Sequence, residues 1–317
     1  MEPTQEPTLS DLGEFAVIDR ILAGRRSRAL LGPGDDAAVL TAPDGRVVVS
    51  TDMLVEGRHF RLDWSTPGEV GRKAIAQNVA DIEAMGARPT GFLVAFGAPA
   101  DTPIAMVDDL AKGMWEEASR AGGAEILGGD LVSCPQWVLG ITAIGDLAGM
   151  APVTLSGARP GSSVAVCGHL GRSAAGYALW ERSFDGFEQL RAGHLVPAPP
   201  YGQGAAAARG GATAMTDISD GLVADLRHIA DASRVGIELS TSALASDHAA
   251  LAAAGQALGA DAWAWILGGG EDHALVAAFE HGVPDGWRVI GSVVAGPARV
   301  LVDGAEWSGS PGWESFE

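Results

Sequence analysis

Two residue types are scarce in this chain of 317 residues, and one sign of charge is outnumbered. Cysteine occurs twice, as Cys134 and Cys167, in no C-x-x-C pair. That excludes a disulfide framework and a cysteine zinc site, and it fits a reducing, cytoplasmic setting. Lysine also occurs only twice, as Lys73 and Lys112, and no G-x-x-x-x-G-K-[ST] is present, so there is no P-loop. Gly168 and Gly171 do not make a G-x-G-x-x-G, and G-x-S-x-G and H-E-x-x-H are absent as well. Basic residues number 21 against 40 acidic ones, a formal charge of −19. Nucleic acids and anionic membranes require a basic footprint, so neither is an expected partner. No apolar run reaches ~18 residues, so no membrane span is expected. The opening stretch is polar and acidic, unlike a signal peptide.

What is present is enough for a sizeable core: 47% of the residues are hydrophobic. The length suggests two domains of ~150 residues each. Apolar residues three and four apart predict helices over 11–24, 69–85, 106–121, 174–181 and 220–232. Strands are expected at 37–40, 47–51, 92–96, 139–144, 164–167, 287–294 and 299–302, the first two joined by a turn at Pro43-Asp44-Gly45. Residues 183–203 read as irregular, broken by Pro197, Pro199 and Pro200. The turn-rich stretch from Gly149 to Ser163 marks the boundary, giving domains 1–149 and 150–317. Helices and strands mix in both halves, so the class is α/β or α+β.

The chemistry-bearing residues are aspartates, mostly beside glycine. They occur in Gly32-Pro33-Gly34-Asp35-Asp36, Ser50-Thr51-Asp52, Asn78-x-x-Asp81, Gly128-Gly129-Asp130, Thr216-Asp217-Ile218-Ser219-Asp220-Gly221 and Gly268-Gly269-Gly270-Glu271-Asp272. Any one of these could be ordinary turn or helix-cap chemistry. Six in one chain, several at strand ends where α/β proteins bind ligands, point further. Aspartate is a natural hard ligand for Mg²⁺, which keeps room for phosphate oxygens. Lys73, Gln77 and Asp81 follow at helical spacing, which suits either a solvated face or a face turned to a metal site. With no P-loop lysine, phosphate charge would fall to metal ions and backbone N–H groups. Phosphoryl transfer needs positioning and charge stabilisation rather than covalent chemistry.

Taken in order, the segments GPGDDAAVL, STDMLVEGRHF, KAIAQNVADIEAMGA, ILGGD, GHLGRSAAG, TDISDGL and GGGED resemble those of the thiamine-monophosphate kinase family. That family belongs to the superfamily of aminoimidazole-ribonucleotide synthetase. The resemblance implies ATP-dependent conversion of thiamine monophosphate to thiamine diphosphate by direct in-line transfer, with several Mg²⁺ ions and no protein group as catalyst. It implies metal ligands at Asp36, Ser50, Thr51, Asp52, Asp81, Asp130, Asp217 and Asp220. Gly129, Asp130 and Ser219 would lie near ATP, and His59, Glu271 and Trp313 would contact the thiamine moiety. It also implies a homodimer, with an N-terminal ATP- and metal-binding domain lending strands to a shared β-barrel and a C-terminal α/β domain.

Each thiamine contact keeps a plainer alternative. His59 would serve as a surface-loop residue, Trp313 as a packing anchor and Glu271 as a turn cap. One departure stands out: the family often carries an arginine before Ser156-Gly157-Ala158, where this chain has Leu155, so Arg159 or Arg172 would have to take its place. Sister enzymes with a reactive cysteine near the N-terminus or at the C-terminal end are disfavoured, because no cysteine precedes Cys134 and the chain ends Ser315-Phe316-Glu317. Aminoimidazole-ribonucleotide synthetase itself is the runner-up. A metal-binding scaffold would bind Mg²⁺ without nucleotide, and a metal-dependent phosphatase would release ADP without a phosphorylated product.

Overall fold

The computed structural model describes residues 7–25, 27–32, 37–310 and 312, except the side chain of Phe15. The chain forms two compact units. One comprises Met1–Val79 and Pro89–Ala148; the other comprises Ala80–Arg88 and Gly149–Glu317. The second unit therefore includes a short piece of chain from well before Gly149.

The first unit contains α1 (Leu9–Leu12), α2 (Glu14–Leu22), β1 (Val48–Val55), the start of α3 (Pro67–Ala84), β2 (Arg88–Ala98), α4 (Ile104–Arg120), β3 (Glu125–Ser133) and β4 (Val138–Asp146). Its strands form one sheet in the order β1-β4-β2-β3. The pair β1–β4 is antiparallel and β2–β3 is parallel. Helices α3 and α4 approach closely because glycine lines the crossing. A Cβ on Gly71 would lie 2.2 Å from the Leu110 carbonyl oxygen, and one on Gly113 would lie 2.0 Å from that of Gly68.

Strand β1 alternates, as a strand with two unlike faces must. Val49, Thr51 and Met53 are exposed, while Ser50 and Asp52 are half-buried and Leu54 is buried. Their β4 partners across the ladder are Ile144, Thr142 and Gly140 for the exposed set. A Cβ on Gly140 would sit 3.7 Å from that of Ala95, so Ala95 shares this bare face. Leu93, two residues earlier on β2, is exposed as well.

The second unit continues with β5 (Ser163–Cys167), α5 (Arg172–Glu181), α6 (Glu188–Leu195), α7 (Gln203–Arg209), β6 (Ala212–Asp217), α8 (Leu222–Ser233), β7 (Gly236–Leu239), α9 (Ala245–Leu258), α10 (Ala262–Gly268), β8 (Leu275–Phe279), β9 (Arg288–Val294), β10 (Arg299–Val302) and β11 (Ala305–Glu306). Its seven strands run β11-β10-β7-β9-β5-β8-β6. Here both faces are covered. Val164, Val166, Ala214, Val276 and Ala278 belong to one core, and Ala165, Cys167, Met215, Leu275, Ala277 and Phe279 to another. A strand buried on both sides reads as a continuous apolar run, and Leu275–Phe279 is one.

Three expectations fail. Residues 37–40 form no strand; Val39 makes only an isolated bridge with Leu31. Gly128-Gly129-Asp130 is not a turn but the middle of β3. The register slips between Phe92 and Leu93, leaving Leu127 unpaired as a bulge, and a Cβ on Gly129 would lie 1.8 Å from the Val94 carbonyl oxygen. Residues 183–203 hold α6 and the start of α7, with the prolines lying between the helices rather than preventing them.

Candidate active site

The predicted residues fall into two groups, one per unit. In the first unit, strand period divides the β1 candidates. Ser50 and Asp52 share one face of the sheet and Thr51 takes the other, where its hydroxyl donates to the Ile141 carbonyl at 2.9 Å and accepts from Thr142 at 3.3 Å. Asp52 is tied to α3. Its backbone N–H donates to Asn78 Oδ1 at 3.2 Å, and Gln77 Nε2 donates to Asp52 Oδ2 at 3.3 Å. The Asn78 amide also donates back to the Ala74 carbonyl. The polar strip of α3 is thus not a solvated face: Lys73 is 2% exposed, Gln77 8% and Asn78 0%. Asp130 pairs in register with Ala95, is exposed, and so lies on the bare face with Thr51, not with Asp52. His59 follows β1 in a tight turn, and its Nδ1 accepts the Val55 N–H at 3.0 Å. In the neutral ring that bond leaves the proton on Nε2.

In the second unit the convergence is tighter. Asp217 ends β6 and is buried, with its Oδ2 2.9 Å from Nδ1 of His273. Burial works against a charged imidazolium, yet the hydrogen bond and charge of Asp217, with Glu271 and Asp81 nearby, raise the His273 pKa above its ordinary value. Asp81, Asp217 and Glu271 therefore share one electrostatic neighbourhood. The 217–221 and 270–274 segments are laced together by backbone bonds. Ile218 N–H donates to Ala274, Glu271 N–H to Ser219 and His273 N–H to Ile218, at 2.8–2.9 Å. Glu271 and His273 both take positive φ, +62° and +53°, in this lacing. Glu271 is one-third exposed, and its Oε2 lies 3.6 Å from Nδ1 of the buried His194, whose Nδ1 also pairs with the Ser173 hydroxyl at 3.1 Å.

Three buried carboxylates hold helix starts. Glu83 accepts from Gly202 and Gly204 N–H, each at 2.7 Å, and burial pushes its carboxyl above the usual range. Asp225 accepts from the amides of residues 219, 220 and 221, and Asp272 from those of Gly171 and Ser173. Burial pushes both of these carboxyls up to about 7. Pattern reading missed His194, Asp225 and His273. The available signals were slight: Asp225 follows Gly221 by one helical turn, and His273 directly follows GGGED.

Two candidates, Asp36 and Trp313, lie outside the described residues. Arg159 pairs with Glu280 at 3.1 Å. Among the described residues no three His, Cys, Asp or Glu side chains converge as a metal-holding group. Mg²⁺ asks for less, since it is bound through one or two carboxylates with water and substrate phosphates completing the shell. Asp217 and Asp220, hard oxygen donors three residues apart on one turn, fit that requirement.

Two family models match the chain: AIR synthase related protein, N-terminal domain, over residues 34–147, and its C-terminal domain over residues 159–303. The chain is 68% identical over 315 residues to the thiamine-monophosphate kinase of Mycobacterium tuberculosis, covering 99% of this chain and 94% of that one. A crystal structure of thiamine-monophosphate kinase from Stenotrophomonas maltophilia K279a matches with a TM-score of 0.81 at 31% identity, over 93% of this chain and 98% of that one. A structure of AaThiL complexed with AMPPCP and TMP matches with a TM-score of 0.77 at 30% identity, over 100% of both chains.

Proposed function

Because the chain belongs to the AIR synthase related family, among its thiamine-monophosphate kinases, its activity is the ATP-dependent phosphorylation of thiamine monophosphate to thiamine diphosphate, and we propose how its residues carry that out. Asp36, Ser50, Asp52, Asp81, Asp130, Asp217 and Asp220 are the proposed oxygen ligands for several Mg²⁺ ions. Thr51 and Asp130 face the opposite side of the sheet from Ser50 and Asp52, and Thr51 is the weakest member of the set because its hydroxyl is already spent on the Ile141 carbonyl. Gly129, Asp130 and Ser219 border the nucleotide. His59, Glu271 and Trp313 receive the thiamine moiety: a donor at Nε2, a carboxylate for the aminopyrimidine and a flat ring for stacking. The N-terminal domain, 1–149, supplies ATP and metal contacts and the dimer interface; the C-terminal α/β domain is 150–317.

Bound Mg²⁺ supplies charge neutralisation between the carboxylates and the phosphates of both substrates. The rest falls to positioning. The acceptor is already a phosphate oxygen, so no side chain need remove a proton, and the transfer runs in line from ATP to thiamine monophosphate. The observation that carries this reading is Asp217: buried at a strand end, held by His273, with Asp220 on the next turn.

The bare apolar face of the first unit's sheet supports a homodimer. Val49 is 59% exposed and Met53 60%, and a second copy would cover them. No helix among the described residues is long and apolar enough to cross a membrane, and two free cysteines fit a cytoplasmic enzyme. The test is incubation of purified protein with thiamine monophosphate, ATP and Mg²⁺, with no-metal and no-acceptor controls. Equal amounts of thiamine diphosphate and ADP, only with Mg²⁺, support the reading. Product formed equally well under chelation refutes the metal assignment.

A further inference from the structure

The turn between β6 and α8 carries Ser219 and Asp220. Its three consecutive amides converge on one atom: the N–H groups of Ser219, Asp220 and Gly221 each donate to Oδ2 of Asp225, at 3.0, 3.1 and 3.0 Å. Asp225 lies in the first turn of the 12-residue helix α8 and is 4% exposed. The loop can take this path because residue 221 is glycine. Its φ is +145°, and a Cβ there would lie 2.9 Å from the backbone of Gly268. On the other side, the Ser219 carbonyl accepts the Glu271 N–H at 2.8 Å.

Consecutive amides at a helix start are a ready receptacle for a phosphate or another anion. Here the chain fills the receptacle with its own carboxylate. A substrate phosphate cannot use those amides, and the positive end of α8 is answered from within. The same turn carries the Asp220 carboxylate and the Ser219 hydroxyl, next to Asp217. All are oxygen donors suited to a cation. The same device closes α5, where Asp272 takes the amides of Gly171 and Ser173.

We infer that Asp225 is a positioning residue that converts an anion-accepting helix start into a cation-accepting one, fixing the 219–221 turn so that Asp217 and Asp220 present their carboxylates to the metal. This rests on the proposed role of Asp217 and Asp220 as metal ligands. Asp225→Ala would reopen the receptacle, and Asp225→Asn would keep its shape without the charge.

Two measurements on purified protein test it. The first is Mn²⁺ binding by electron paramagnetic resonance in the presence of the ATP analogue AMPPCP. Asp225→Ala is expected to weaken binding by about tenfold or more, the usual penalty for losing a group behind a metal ligand, and Asp225→Asn by about threefold. The far-UV circular dichroism spectrum should stay that of wild type in both, which a general loss of structure would not allow. The second is the thermal midpoint with added inorganic sulfate. Sulfate stabilises folded proteins generally, but it should raise the midpoint of Asp225→Ala by more than that of wild type or Asp225→Asn, because only the alanine variant frees three amides for an anion.

Wild-type Mn²⁺ affinity in both variants overturns the proposal, as does an equal sulfate response in wild type and Asp225→Ala. Should the alanine variant fail to fold, Asp225→Asn decides alone: unchanged Mn²⁺ binding overturns the proposal. Asp217→Asn and Asp220→Asn serve as controls. If neither weakens Mn²⁺ binding, the ligand assignment has failed, and the sulfate response of Asp225→Ala still reports on the receptacle.

Discussion

The two sheets solve the same problem differently. The seven-stranded sheet buries both faces under its own helices and loops, and its central strands β5 and β8 are apolar at nearly every position. The four-stranded sheet buries one face and leaves Val49, Met53 and Leu93 open to solvent on the other. The first is complete as a folded object. The second keeps an open face that carries Thr51 and Asp130 beside its apolar residues, while Asp52, Gln77 and Asn78 meet on the covered side. The contrast sets the acidic loop of the second unit against the open sheet face of the first, which a second copy would cover in the proposed dimer.

The strongest way to break this comparison is at the acidic loop. Asp217→Asn should lower kcat on the order of 10³-fold while the circular dichroism spectrum stays unchanged, since loss of one well-placed electrostatic group costs that much. Near-normal turnover would remove the second unit's claim to the chemistry. Next comes the bare sheet. Met53→Asp puts a charge where a copy would dock, and an unpaired buried charge costs about 3–5 kcal/mol. Sedimentation should shift from the dimer mass to the monomer mass, and a wild-type protein that already sediments as a monomer ends the dimer reading.

Asp272 sharpens the comparison through pH. Its folded pKa is raised by burial from 3.8 to about 7. The folded state then holds this proton more tightly than the unfolded chain does. The resulting stability is fully present below pH 4 and lost as pH rises through 7, with a slope of at most ~1.4 kcal/mol per pH unit. Chemical denaturation across that window should show a shallower pH dependence for Asp272→Asn than for wild type; identical slopes would mean the carboxyl is charged throughout. The smallest effect is expected at His59. His59→Ala should raise the KM for thiamine monophosphate by about tenfold with little change in that for ATP, the value of one or two polar contacts. The reverse pattern would move His59 to the nucleotide.

Part of the second unit's framework was legible where its signals are local, while β6, β7, β8, α9 and α10 carried no expectation. The 3.6-residue spacing of Leu222, Leu226 and Ile229 marks α8, and the apolar run Val164–Cys167 marks β5. What escaped depends on partners far along the chain. Two glycines in ILGGD suggest a turn, and only the approach of Val94 explains why Gly129 belongs in a strand. Prolines 197, 199 and 200 suggest a break, which is correct between α6 and α7 but says nothing of the helices on either side. At the site, sequence spacing named the aspartates but could not single out the one that grips amides. Asp225 is buried where Asp220 is only half-buried, and neither its burial nor its three amide donors are written in a motif.

The strand order of the second unit also bears on how the protein is made. Strand β5 is flanked by β8 and β9, and β8 begins about a hundred residues after β5 ends. Nothing earlier in the chain occupies either of its edges in the finished sheet. At ~5–20 residues per second, a ribosome would hold β5 unpaired for several seconds or more before its neighbours emerge. Such a strand, apolar on both faces and open at both edges, is a site for mispairing. Truncations that remove residues beyond 274 should therefore aggregate during synthesis rather than accumulate as soluble fragments.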